Sequence, residues 1–212
     1  MIEQLRVADV LASADHTEIV KAIAENFGSL MKRVRPTATE ILTVALEEPQ
    51  IDDHVKSLIR RVLANLPSLE HAEKRMTFAD QRMVAELRGR VAAAKTVQDQ
   101  IQVLTQARHE YPSKASAIDA ARDILEDGAQ TIYTTPFWQQ SLRAAAASLG
   151  VSKAPPMGGV VGYMTVAGAD VGGAIAGAII TAPAGAVEGA ATGAVVGSVA
   201  EAGSELWDWI WS

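Results

Sequence analysis

Asp52-Asp53-His54 is the densest chemical grouping in the chain, a histidine beside two carboxylates. On paper it offers a general base with acidic neighbours. Consecutive helical residues point in different directions, so these three do not converge on one substrate atom. Acids at such a position serve better as a helix N-cap. His16, His71 and His109 form no HExxH or comparable ligand pair. No GxSxG elbow, phosphate loop or dinucleotide fingerprint occurs. The chain has no cysteine, which excludes disulfides, thiol catalysis and Cys-based zinc sites. No catalytic residue, metal or cofactor is expected, and the chain does not read as an enzyme.

The informative spacing belongs to glycine. Between residues 155 and 200 only Asp170 and Glu188 are charged. Gly185, Gly189, Gly193 and Gly197 recur every fourth residue, flanked by Ala186, Ala190 and Ala194. Upstream, Gly168 and Gly172 make one such pair, and Gly173 and Gly177 another, the latter in phase with Gly185 through Thr181. Residues four apart share a helix face, so a row of glycines forms a groove that a second backbone can enter. In water each glycine costs a helix about 1 kcal/mol relative to alanine. In hydrocarbon the backbone has no water to bond, and helix is enforced.

Residues 157–182 are long enough to cross a membrane core, and 184–201 just long enough. Ala182-Pro183-Ala184 would separate them into a helical hairpin, or kink one helix. Insertion would be marginal. Seven Val and Ile in the first half contribute roughly −3 kcal/mol, and Asp170 costs about as much. Such segments fit a protein that stores them and inserts them on release, or inserts them only as an oligomer. Asp170 and Glu188 would then need a lumen, a partner or a proton; in a soluble protein they would face water. Trp207, Trp209 and Trp211 fit a membrane interface, or alternatively dock on the helical domain.

This segment, about residues 157–202, resembles the glycine-zipper domains of bacterial membrane-acting proteins, including secreted antibacterial toxins that depolarise membranes. The resemblance implies a helix-packing and oligomerising role for Gly173, Gly177, Gly185, Gly189, Gly193 and Gly197, and no catalysis.

The preceding 150 residues read as amphipathic helices between short punctuated turns, so the fold class is all-α. Residues 2–12 carry the first apolar stripe. Thr17 is the expected N-cap of the second helix, which Arg35-Pro36 ends. Ile41–Leu46 follow. Asp52 or Asp53 begins a helix ending before Pro67, and Ser68 caps the next. From Leu87 through Val91, Ala94, Val97 and Ile101 to Leu104 the spacing approaches a heptad seam. Unbroken from 69 to 110 it would measure about 60 Å; two shorter helices are the alternative. A helix over 114–127 precedes Thr135-Pro136, which starts the last helix, and Gly150 stops it. The domains expected are a helical bundle over 1–150, a linker at 151–156, the zipper hairpin at 157–202 and a Trp-rich tail at 203–212. The bundle's stripes are expected to close without the zipper.

Charge divides the same way. All 19 Lys and Arg lie at or before Lys153, whereas five acids and no cation follow it. Nucleic acid is not an expected partner, since phosphate binding needs clustered cations. The N-terminus lacks a secretory pattern, so synthesis in the cytoplasm and conditional membrane association are expected. Two functions fit. The first is a membrane-inserting, oligomerising pore-forming or depolarising protein, with lipid, itself and a trigger or chaperone as partners. The second is a soluble assembly protein of a phage, secretion machine or filament, with the zipper packing subunits.

Overall fold

The computed structural model describes residues 11–31, 37–74, 76–151, 163–182 and 185–211, with the side chains of 68–73, 163, 210 and 211 left out. The described residues form an all-α fold of ten helices. They are α1 (Ser13–Glu25), α2 (Phe27–Leu30), α3 (Ala38–Ala45), α4 (Asp53–Glu73), α5 (Phe78–Ala93), α6 (Val97–Glu110), α7 (Ala115–Gly128), α8 (Thr135–Leu149), α9 (Tyr163–Thr181) and α10 (Ala186–Trp211). The expected first helix over 2–12, the Arg35-Pro36 stop, most of the 151–156 linker and Pro183-Ala184 fall outside the described residues.

Side-chain caps set most of the boundaries. Thr37, Thr77 and Thr96 each accept the N–H of the residue three places on, Glu40, Asp80 and Asp99, satisfying one orphan donor of α3, α5 and α6. Asp52 does the same for Val55 at the start of α4. The long helix over 69–110 is therefore absent. Ala94 is extended, and the apparent heptad seam is the buried faces of two successive helices, with Leu87 and Val91 on one and Leu104 on the other. Gly89 sits inside α5 and breaks nothing.

Three other boundaries differ from expectation. α1 begins before Thr17, because the Asp15 carboxylate takes the Ala12 N–H at 2.8 Å and closes the first turn there. α4 runs through Pro67, which lies on its exposed side, so Ser68 starts nothing. Thr134 caps α8, one residue ahead of the expected start, and Gly150 ends it with φ 70°, where only glycine is unstrained.

The core does not stop at residue 150. One hydrophobic cluster joins Ile19, Ile23, Leu87, Val91, Ile118 and Leu125 to Val166, Val171, Ile175, Val195 and Leu206. α9 lies in the middle, with α10, α5, α7 and α4 packed around it. α10 in turn reaches α1, α7, α3 and α4. The Trp-rich end is not a separate tail but the last turns of α10. Trp209 is buried and Trp207 half-buried against the core, so these two indoles dock on protein. The Trp211 side chain lies outside the described residues.

Candidate functional site

Glycines build the centre of this bundle on two faces of one helix. A methyl group at Gly173 would overlap the Gly193 carbonyl, one at Gly177 the Gly189 carbonyl, and one at Gly197 the Ala169 carbonyl. These pairings run in opposite senses, so α9 and α10 are antiparallel with their backbones in contact. The second row faces α5. A Cβ at Gly168 would stand 2.9 Å from Ala92 Cβ and 3.1 Å from the Arg88 carbonyl, and one at Gly172 would stand 3.3 Å from Arg88 Cδ. Gly185 behaves differently: it lies in the turn before α10, and its nearest neighbour would be Thr181 Cβ at 3.5 Å, an ordinary contact. The Thr181 hydroxyl lies 2.8 Å from both the Gly177 and Gly185 carbonyls and ties the row across the turn.

Close approach at Gly197 brings its neighbour Ser198 to Asp170, which follows Ala169 on the facing helix. The Ser198 hydroxyl donates to Asp170 Oδ1, and the Tyr133 phenol donates to Asp170 Oδ2. Tyr133 is held by the turn after α7. Its N–H bonds the Gly128 carbonyl at 3.1 Å, and its ring covers Gly128 where a side chain would collide. His16 arrives from the buried face of α1, with Nε2 3.5 Å from Asp170 Oδ2 and 3.1 Å from Ser198 Oγ. All four side chains are buried.

Asp170 therefore neither faces water nor, in this state, meets lipid. Desolvation pushes its carboxyl pKa up, opposed by the nearby His16 and by hydrogen bonds from His16 and Tyr133. Burial raises the Tyr133 phenol well above its ordinary value, and Asp170 raises it further. Phenol and hydroxyl thus remain donors, and the carboxyl group is their shared acceptor.

Three further acids of the pair, Glu188, Glu201 and Glu205, are also tied to protein. Asn65 of α4 donates to Glu188 Oε1 at 3.1 Å. Arg88 of α5 pairs with Glu201 at 2.9 Å across α9. Thr165 of α9 donates to Glu205 Oε1 at 2.9 Å, while Glu205 Oε2 is buried without a hydrogen bond. Burial raises the Glu205 pKa to about 7, against the Thr165 bond and with Glu201 adding repulsion. A raised folded pKa stabilises most below the unfolded value and loses that contribution as pH rises through about 7. Glu205→Gln should therefore match wild type near pH 5 and exceed it near pH 8 by about 1–2 kcal/mol, allowing for partial solvation of the site. Urea unfolding at the two pH values measures this; an equal gap at both would place the cause elsewhere.

Serine, histidine and aspartate in contact invite a hydrolytic reading, but the geometry is wrong for it. Asp170 bonds Ser198 directly, whereas a relay would have the acid hold the far imidazole nitrogen. That nitrogen, His16 Nδ1, has no hydrogen-bond partner. Two cavities among the described residues lie away from the cluster: one of about 510 Å³ along Arg90, Lys95 and Gln102, and one of about 250 Å³ along Ser13, Asp119 and Val187. Asp52-Asp53-His54 is a helix start, with His54 exposed and 3.4 Å from Glu18.

Sequence reasoning found Asp170 and the glycines but not their partners. Tyr133 and Ser198 carry no spacing signal, and His16 was weighed only as a metal ligand. The available clue was indirect: a carboxyl in an apolar glycine-rich helix needs donors if that helix is buried. No protein-family model matches the chain, and neither a curated protein nor a solved structure matches it, so the functional reading rests on this geometry.

Proposed function

We propose that the chain is a latent membrane-inserting protein: the α9–α10 pair is stored in a helical bundle and, once released, enters a bilayer and assembles into a pore or depolarising channel. The observation that carries this reading is the state of α9. Met164–Thr181 is long and apolar enough to cross a membrane, yet it sits among other helices with its one charged residue, Asp170, bonded to groups from outside α9. Storage of this kind offsets the poor helix propensity of glycine with tertiary packing. Release would free the same glycine rows for contacts between copies in lipid. The assembly-protein reading needs a glycine face open to another subunit, and both rows are filled from within the chain.

Release is testable with a staple. The native chain has no cysteine, and a Cβ at Gly172 would lie 3.5 Å from Arg88 Cβ, within the span of a disulfide. The Arg88→Cys/Gly172→Cys protein should discharge a potassium gradient across phosphatidylglycerol–phosphatidylethanolamine vesicles only after reduction. Unmodified protein that stays folded yet leaks at no pH or lipid composition would end the membrane reading. Equal leakage from stapled and reduced protein would end the storage mechanism.

A further inference from the structure

We propose that His16 and Asp170, clamped by Tyr133 and Ser198, form a proton-set latch: the closed bundle holds one proton between the pair, and a second proton on the pair releases α9–α10. This names the regulation of the function proposed above and rests on that reading for its biological consequence, but the latch itself can be tested without lipid.

The argument starts from charge in a sealed space. With one proton the pair is neutral overall, whether written as imidazole and carboxylic acid or as imidazolium and carboxylate, and the two forms titrate as a unit. The carboxyl accepts from Tyr133 and Ser198 in either form. Remove the proton and one uncompensated negative charge stays buried. Add a second and imidazolium faces a neutral acid, leaving an uncompensated positive charge. Breaking the compensation of a buried pair is costly in either direction.

Among the described residues the charged groups of the neighbouring elements are engaged elsewhere, Arg61 excepted. α5 brings Arg88, already paired with Glu201. α4 brings Asn65, engaged with Glu188 and Thr192, and one turn earlier Arg61, a cation whose Nη2 is buried without a hydrogen bond. The buried face of α7 is Ala117, Ile118, Ala121, Ile124, Leu125 and Gly128; Asp119, Arg122, Asp123 and Glu126 pair with one another or with Arg108 outside, and Asp127 is exposed. The buried residues of α2, α3 and α8 are apolar apart from Ser141. α10 offers Ser198, a hydroxyl.

The position of the latch makes opening consequential. His16 belongs to α1, Tyr133 to the turn after α7, Asp170 to α9 and Ser198 to α10, so its bonds fasten the glycine-packed pair to the bundle. The raised carboxyl pKa works in the same sense as insertion: Asp170 leaves the protein neutral when acid opens it, and a neutral acid enters hydrocarbon at less cost. Taken alone, protonation of Asp170 favours the closed state, because its folded pKa is raised; the second proton on the pair, which leaves it cationic, is what opens it.

Amide hydrogen exchange of the full-length protein, corrected for intrinsic rates and followed from about pH 8 to about pH 4, reads the latch directly. Peptides from α9 should be protected near neutrality and lose at least about tenfold of that protection in acid. His16→Gln should keep them protected at the acid end. Asp170→Asn, lacking the counter-charge, should open at a midpoint higher by about one pH unit. His16→Gln opening where wild type does, or Asp170→Asn leaving the midpoint unmoved, would overturn the proposal. If His16→Gln does not fold, the imidazole ¹⁵N and Asp170 carboxyl ¹³C shifts of the wild type serve instead: uptake of the second proton by the pair must coincide with loss of α9 protection, and a pair that takes it up in a closed protein overturns the latch. Parallel vesicle leakage separates the two proposals. Opening without leakage keeps the latch and removes the membrane function; leakage unaffected by His16→Gln keeps the function and removes the latch.

Discussion

Gly173→Ala and Gly193→Ala should each destabilise the protein by about 3 kcal/mol, an effect opposite in sign to the same substitution at Gly89. All three glycines sit inside helices, where alanine gains about 1 kcal/mol of intrinsic propensity. At Gly89 nothing lies within 4 Å of the added methyl, so the gain is realised. At Gly173 the methyl would fall on the Gly193 carbonyl, and at Gly193 on the Gly173 carbonyl. The obstacle is backbone, which cannot rotate away as a side chain can. Overpacking costs about 1–3 kcal/mol where side chains can adjust, and the upper end or beyond is expected where two helix backbones must part. For a chain of this size each kcal/mol moves Tm by roughly 2–4 °C, so Gly89→Ala should rise slightly while the other two fall by about 6–12 °C. Parting the helices at Gly193 also draws Ser198 from Asp170. Thermal unfolding of the three variants checks this, and a mild Gly193→Ala would mean that the contact between the backbones is not what holds α9 to α10.

The glycine spacing was legible because it is a consequence of helix geometry alone. Any helix with glycines every fourth residue has a bare face, and something must fill it. The sequence shows both glycine pairs of α9, Gly168 with Gly172 and Gly173 with Gly177, but not that α5 fills the first with Ala92 and the Arg88 backbone. Nor did composition locate the boundary of the core. The absence of cations after Lys153 suggested a separate membrane part, but a helix surrounded by others in water is selected for the same scarcity of charge. Length and hydropathy treat the two cases alike.

The helix breaks are hard to read for a different reason. Thr77-x-x-Asp80 and Thr96-x-x-Asp99 are N-terminal signatures, and both lie within the stretch taken as one possible long helix. The apolar spacing from Leu87 to Leu104 leaves one long helix open beside two shorter ones, because a helix break of a few residues can leave the period nearly in register; the structure has the shorter helices. Pro67 was given too much weight: on an exposed face the chain tolerates its missing N–H, and α4 continues. Asp170 was recognised as anomalous, but its partners come from α1, the turn after α7 and α10, separations of 154, 37 and 28 residues that no local pattern encodes.

Removing α9 and α10 should leave a fragment without cooperative tertiary structure, although its sequence is amphipathic throughout. The amphipathic stripes of residues 1–150 predict helices that close on one another. Instead α5 packs chiefly on α9 and α6, and α7 on α9, α6, α1 and α10. Without α9 the buried face of α5, Met83, Leu87 and Val91, loses its main support. Exposing three such side chains costs roughly 5 kcal/mol, as much as the whole stability of many domains. His16 and Tyr133 would lose the carboxyl that engages both, which leaves polar atoms to be hydrated inside a collapsing core. The fragment ending at Val151 should therefore keep much of its far-ultraviolet helix signal, bind a hydrophobic dye and melt without a transition. Co-expression with residues 152–212 as a separate chain should restore a sharp melt, because the α9–α10 pair carries the complementary apolar surface and Asp170. A sharp, dye-free melt of the fragment alone would show that the first 151 residues make their own core and that α9 only rests against it.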